Sequence, residues 1–340
     1  ADAFSAESQV VTGSDIHLED SDGWQSVDME LSWNDRTVLL GFLIETEGQV
    51  SLRNGFYSIE CREEPRPVEL ALATTTFKKE SYIEANIDAI KRDILESDDE
   101  IATHFTMHVI DNSRTLDAEK LQCDRVRIHP NANVGGAGGF TYGMLCAMEQ
   151  EPRATHVLLM DDDVAVSPES IKRTFNLLRI VNDAYSDAMV SGAMLNLECG
   201  EEQWEDTGFM SPLGTFAPAK PQLRLSSFED IVYNETFTLP SAIRKLDQNY
   251  AAWWYCCIPI SVIEENGLPL PVFVRCDDAE YGVRCKKKFM TMNSLCIWHA
   301  SFHVRYNAAV ERYQTTRNTL IARFTTGFAP NSDFMYELNN

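Results

Sequence analysis

His156-Val157-Leu158-Leu159-Met160-Asp161-Asp162-Asp163 is the stretch whose reading decides the fold. A short apolar run bounded by polar residues marks a strand buried on both faces of a parallel sheet. This one stops abruptly in three carboxylates. In open α/β sheets ligands bind beyond the carboxyl ends of the strands. Three acids placed there repel one another unless a cation lies among them, and hard divalent cations take oxygen ligands. The stretch therefore reads as a metal site facing a phosphate-bearing substrate. A solvated acidic turn capping the next helix is the plainer alternative.

Working outward, residues 68–74 form an apolar strand that runs into Thr74-Thr75-Thr76 and then Phe77. Ile83, Ile87, Ile90 and Ile94 recur at helical spacing and predict a helix over 81–95, with Ser81 as its cap. Strands follow at 107–110, ending in Asp111-Asn112-Ser113, and at 125–128. This alternation predicts an α/β domain built on a doubly wound, mainly parallel nucleotide-binding sheet. An acid such as Asp111 at a strand end suits a base or a ribose. Next comes Pro130-Asn131-Ala132-Asn133-Val134-Gly135-Gly136-Ala137-Gly138-Gly139-Phe140, followed by a helix to about Met148. Four glycines in five positions let backbone approach a ligand, and the helix start offers N–H groups to phosphate. No Gly-Lys-Ser/Thr follows, so this is not a Walker loop, and a tight turn is the simpler reading.

The chain has 340 residues, 44% of them hydrophobic and 24% charged, as in ordinary globular proteins. A net charge of −23 argues against nucleic acid as a partner and against broad adhesion to an anionic membrane. No apolar run approaches the roughly 20 residues that span a bilayer, and residues 1–10 lack the regions of a signal peptide. Nine scattered cysteines with no CxxC pair point to a reducing, cytoplasmic setting and away from zinc. Residues 1–66 read as a small antiparallel β-sandwich module. Residues 27–33 alternate apolar and polar, and Asn54-Gly55 is a hairpin signal between 49–52 and 56–61. That module orients the main domain or binds carbohydrate. Residues 67–325 form the main domain, and 326–340 a tail.

The glycine run and Asp161-Asp162-Asp163 together resemble the GT-A, inverting family-2 glycosyltransferases, and among them the bacterial galactofuranosyltransferases. Three later features extend the likeness: Trp253-Trp254-Tyr255, the segment Leu268 to Gly282 with Asp277-Asp278 inside it, and Ile297-Trp298-His299 followed by Tyr313 to Asn318. The resemblance implies a UDP-sugar donor, a saccharide or glycolipid acceptor, and Mn²⁺ or Mg²⁺. With the cytoplasmic setting that the cysteines favour, peripheral attachment at the inner face of the plasma membrane and homo-oligomerisation are both compatible.

A diphosphate leaving group needs its charge neutralised as the glycosidic bond breaks, which a divalent cation does. In an extended segment Asp161 and Asp163 point to one side, toward metal and donor, and Asp162 points elsewhere, as toward the sugar. His299 resembles the family's late metal ligand, and imidazole suits Mn²⁺ beside carboxylates. Inversion needs one general base. Asp277 and Asp278, at an expected helix start over 278–286, are the candidates, with Asp277 slightly preferred and N-capping as the plainer role for one of them. Thr76, Phe77, Asp111, Asn133, Gly138, Gly139 and Asp162 are the expected donor-binding residues. Trp253, Trp254 and Trp298 are expected on the acceptor side, although paired aromatics are as often core. Lys78, Arg114 and Arg305 are candidates for pairing with phosphate. The segment 198–239 reads as a loop or lid with Gly208 and Gly214 as hinges. Two other readings compete: another hexosyltransferase, such as a rhamnosyltransferase, and a non-catalytic carbohydrate-binding protein. A nucleotidyltransferase would carry a basic loop early in the sheet, which is missing.

Overall fold

A computed structural model of the chain describes residues 15–34, 36–211, 215–238, 248–301 and 307–325. Its centre is a seven-stranded sheet in the order Phe289–Met290, Met189–Ser191, Cys256–Pro259, His156–Leu159, Leu70–Thr76, Phe105–Asp111, Val126–Pro130. Neighbours run parallel except at Cys256–Pro259, which is antiparallel to the strands on both sides of it. The mixed α/β architecture with a mainly parallel sheet is the one expected.

Side chains alternate across a strand, and the layers follow from that. Leu70 and Leu72 join a core with Ile83, Ile87 and Ile90 of the helix Glu80–Ile90. Ala71 and Ala73 face the other way, onto Phe140, Met144 and Ala147 of the helix Gly135–Glu149. The small residues on this second face have a steric reason. A Cβ at Gly143 would stand 2.6 Å from the Cβ of Ala73, and one at Gly139 would stand 1.9 Å from Thr75 Oγ1. Glycine thus lets this helix lie almost on the strand, and the helix start comes level with the sheet's carboxyl edge.

A second sheet of five strands runs Leu223–Arg224, Glu202–Glu205, Ala193–Asn196, Cys296–His299, Ala165–Val166. Three expectations change here. The segment 198–239 is not a structureless lid: it carries strands Glu202–Glu205, Gly208–Met210, Phe216–Pro218 and Leu223–Arg224 and the helix Phe228–Thr236. Gly208 is packed, since a Cβ there would meet the Tyr250 ring at 2.3 Å; Gly214 lies outside the described residues. The first long helix starts at Glu80 with Lys79 at its N-cap position, so Ser81 is inside the first turn.

The expected β-sandwich over residues 1–66 is not formed among the described residues, because 15–34 and 36–66 contain neither strand nor helix. Trp33, Leu43 and Phe56 stand exposed there. Alternation makes a strand only where another surface covers its apolar face, and isolated hairpins are marginal. Arg66 ties this stretch to the body through its N–H to Arg179 O at 2.9 Å. Residues 326–340 lie outside the described residues.

Gly143→Ala tests the close approach. Overpacking against Ala73 costs about 1–3 kcal/mol, more than the roughly 0.5–1 kcal/mol gained in helix propensity. The urea midpoint is expected to fall with an unchanged m value; a raised midpoint would show that the helix is not held against the strand.

Candidate functional site

The strand His156–Leu159 delivers Asp161 and Asp163 at the sheet's carboxyl edge. The strand Ala165–Val166 then pairs antiparallel with Cys296–His299, Ile297 opposite Val166 and Trp298 opposite Ala165. One more step of that register carries His299 back toward the acid triplet. Its Nε2 stands 3.4 Å from Asp163 Oδ1, and its Nδ1 lies 2.6 Å from the carbonyl of Ala300. One ligand atom each from Asp161, Asp163 and His299 lie within 4.8 Å of one another. Asp163 Oδ2 accepts from Lys79 Nζ. Asp161 and Asp163 therefore meet, but Asp162 and Asp163 stand in a turn and not in the extended segment expected. A cleft of about 270 Å³ adjoins Asp163, lined also by Ser81, Tyr82 and Asn86.

Electrostatics in this corner are strained. Burial pushes the Asp161 carboxyl up to about 7; His299 works against that shift, while Asp163, Asp162 and Asp278 add to it. Burial likewise raises Asp162. For His299 burial works to lower the pKa, but the hydrogen bond to Asp163 and the charges of Asp161 and Asp163 outweigh it, and the net shift is upward.

Asp277 and Asp278 open the helix Asp277–Cys285. The turn before it is held in an unusual shape: Phe273, Arg275 and Cys276 have φ of +76°, +71° and +65°, a region that costs side-chain-bearing residues energy. Contacts from two sides hold it there. The Nδ2 of buried Asn318 lies 3.1, 2.7 and 2.9 Å from the carbonyls of Val272, Val274 and Arg275. On the other side Ala137 N–H donates to Phe273 O at 3.1 Å, and Gly135, at φ +71°, has no room for a Cβ, which would lie 2.1 Å from that oxygen. A Cβ on Gly136 would stand 3.6 Å from Asp277 Oδ2. The glycine-rich helix start thus faces the acid pair. Burial, then Asp278, pushes Asp277 up to about 8. Burial raises Asp278 to about 6, opposed by the Ala279 N–H and by Arg275.

Other expected residues land differently. Buried Asp111 spends its carboxylate on its own loop: Oδ1 accepts from Ser113 N–H, Ser113 Oγ and Arg114 N–H at 2.8–3.0 Å, and Oδ2 from Leu116 N–H at 2.9 Å. These bonds fix the loop 111–116 at the end of the strand. Asn133 accepts from Gly135 N–H at 3.2 Å, and Gly138 and Gly139 serve helix packing. Thr76 is buried and Phe77 exposed at the strand end. Trp253 and Trp254 are 4% and 7% exposed. Trp253 meets Phe140 and Tyr281 edge-on at 5.4 and 6.0 Å, and Trp254 donates to Gly192 O at 3.1 Å. Both are core, so neither presents a stacking face to an acceptor. Trp298 is half-buried and donates to Gly200 O at 2.9 Å. Lys78 is exposed, Arg114 is turned onto Asn131 O at 2.8 Å, and Arg305 lies outside the described residues.

Three residues of the site escaped the sequence. Lys79, not Lys78, reaches the triplet. Asn318 carries no signal beyond its place in the Tyr313 to Asn318 motif. Glu205 is buried near Asp278, raised to about 8 by burial and then by Asp278 and Asp206; nothing in the sequence around it marks it.

The donor set suits a hard divalent cation with one nitrogen ligand. Two carboxylates and an imidazole converge, and a cation would favour the ionised form of Asp161 that burial and then the neighbouring carboxylates oppose.

A mixed α/β fold with an acidic pocket at the strand ends is the class these features define. No protein-family model matches the chain. It is 31% identical over 234 residues to galactofuranosyltransferase GlfT2 of Mycolicibacterium smegmatis, covering 65% of this chain and 35% of that one. It is 31% identical over 204 residues to galactofuranosyltransferase GlfT2 of Mycobacterium tuberculosis, covering 58% and 31%. The chain thus resembles the galactofuranosyltransferases, as its motifs implied, while spanning about a third of the length of these relatives. Among solved structures, mannosyl-3-phosphoglycerate synthase from Rubrobacter xylanophilus overlays with a TM-score of 0.44 at 10% identity, covering 79% of this chain and 78% of that one. That overlay is too loose to support a functional statement.

Stability should report the crowded acids. Carboxyls raised in the folded state favour it while neutral, so their contribution is complete below the usual 3.8 and is lost as pH rises through about 6 to about 8. With chelator present, Tm is expected to fall between pH 6.5 and pH 8, above the range in which the buried His108 and His156, both lowered to about 4 by burial, act in the opposite sense, and saturating Mn²⁺ should reduce that fall by binding the folded, ionised site. A chelated protein whose Tm rises over that interval would contradict the raised carboxyls.

Proposed function

We propose that the chain is an inverting, metal-dependent glycosyltransferase that moves galactofuranose from UDP-galactofuranose to a saccharide or glycolipid acceptor. One observation carries the reading. Asp161, Asp163 and His299 meet at the same strand ends as the Asp277–Asp278 pair, in a chain that resembles galactofuranosyltransferases over 65% of its length.

In this reading Asp161, Asp163 and His299 hold Mn²⁺ or Mg²⁺, which when bound supplies Lewis-acid neutralisation of the departing diphosphate. The acceptor hydroxyl attacks the anomeric carbon from the face opposite the UDP. Its proton passes to a carboxylate as the carbon–oxygen bond to UDP breaks, with inversion. Asp278 is the better base of the pair. The Ala279 N–H at 2.7 Å and Arg275 favour its ionised form, whereas Asp277 is pushed further up by burial and by its neighbour. This reverses the slight sequence preference for Asp277. The donor contacts fall to the rim formed by Thr76, Phe77, Asp162 and the loop that Asp111 anchors. No helix among the described residues is long and apolar enough to cross a membrane, and nine free thiols support a reducing, cytoplasmic setting.

UDP release from UDP-galactofuranose tests the proposal. Release should require Mn²⁺ or Mg²⁺ and vanish in Asp161→Ala. In Asp278→Asn it should fall at least about 100-fold with donor affinity kept. Turnover of a different nucleotide sugar would overturn the donor assignment, and metal-independent release would overturn the role of the triplet. A protein that binds sugars without any turnover would overturn the enzyme reading in favour of a binding protein.

A further inference from the structure

Away from the acidic pocket, three side chains with metal-ligating chemistry meet where two strands and a helix touch. His108 lies on the strand Phe105–Asp111, His129 on the edge strand Val126–Pro130, and Cys146 on the helix Gly135–Glu149. His108 Nδ1 stands 3.0 Å from His129 Nε2, and Cys146 Sγ 3.9 Å from His129 Nδ1. One ligand atom from each lies within 4.8 Å of the others.

The outer partner of His108 is fixed. Gln150 Nε2 donates to Pro152 O at 3.0 Å, which turns Gln150 Oε1 toward His108 Nε2 at 2.9 Å. That oxygen can only accept, so His108 carries its proton on Nε2 and aims the Nδ1 lone pair into the cluster. A ligating histidine whose second nitrogen donates to a fixed carbonyl is the usual outer arrangement of metal sites.

We propose that His108, His129 and Cys146 form a second metal site, for a borderline-soft divalent ion of the Zn²⁺ class, that staples the edge strand and the glycine-rich helix to the sheet. Two imidazoles and a thiolate select such an ion over Mg²⁺ or Mn²⁺, which prefer oxygen. Tetrahedral Zn²⁺ with its usual bond lengths keeps ligand nitrogens about 3.3 Å apart and nitrogen and sulfur about 3.6 Å apart. His108 and Cys146 meet opposite nitrogens of His129, so binding turns the His129 ring to present one nitrogen to the ion shared with both partners. Binding displaces the Cys146 proton to solvent, moves the His129 proton to the nitrogen that does not ligate, and leaves the fourth position to water. The sequence hides the site because its ligands come from three separate elements. It is independent of the catalytic proposal, since none of its residues belongs to the acidic pocket.

Chelator-stripped full chain titrated with Co²⁺ tests it. The expected result is a thiolate-to-cobalt charge-transfer band with intense tetrahedral d–d absorption. Both should persist in Asp161→Ala, which removes the acidic site. Cys146→Ser should lose the charge-transfer band, and Gln150→Ala should keep it with affinity lowered about 10–100-fold. Zn²⁺ should also protect Cys146 of the wild-type chain from alkylation, read by peptide mass spectrometry. A wild-type titration without the charge-transfer band, its persistence in Cys146→Ser, or equal labelling of Cys146 with and without Zn²⁺ would overturn the proposal.

Discussion

The desolvation of clustered half-buried and buried carboxyl groups, sharpened by their mutual repulsion, is the constraint on which the strand-end site depends. Asp161 faces Asp163 and Asp278, Asp277 faces Asp278 and Asp161, and Glu205 faces Asp278. Desolvation and like charge both act against their ionised forms, so the chain alone keeps several of them neutral well above the ordinary range. Lys79 on Asp163, Arg275 near Asp278 and the Ala279 N–H offset only part of this. Such an arrangement lowers the stability of the empty protein near neutral pH and prepares the site to gain most from a cation. Perturbed acids of this kind gather at functional sites far more often than by chance of packing.

Holding the acids in place takes most of the remaining architecture. The helix Gly135–Glu149 can reach them only because Gly139 and Gly143 let it lie against Thr75 and Ala73. Its first residues then support the turn Phe273–Cys276, whose positive φ angles aim Asp277 and Asp278. Asn318 holds the same turn from the C-terminal side. His299 arrives through the pairing of two short strands in the second sheet. The glycine-rich helix start and the turn before the acid pair are therefore one mechanical unit, and a change at Gly135 or Asn318 is a change to the geometry of the acid pair.

Much of this was legible in the sequence, for identifiable reasons. The apolar run ending in Asp161-Asp162-Asp163 and the isoleucine spacing from Ile83 to Ile94 each carry a local physical signal, and both became the elements expected. Asp161, Asp163 and His299 came together as the motifs implied. What failed depended on partners that spacing does not encode. Alternation at residues 27–33 had no covering surface, and Trp253 and Trp254 turned into the core. The Cys146 and histidine cluster was invisible because strand order, not sequence distance, assembles it.

The central claim is that the strand-end acids hold a divalent cation against a nucleotide diphosphate. Crystals grown with Mn²⁺ and UDP, measured for Mn anomalous scattering, test it most directly. The account predicts an anomalous peak held by Asp161, Asp163 and His299, with the UDP diphosphate bound against it. UDP bound elsewhere, or strand ends occupied by UDP with no Mn²⁺ between the acids, would contradict it.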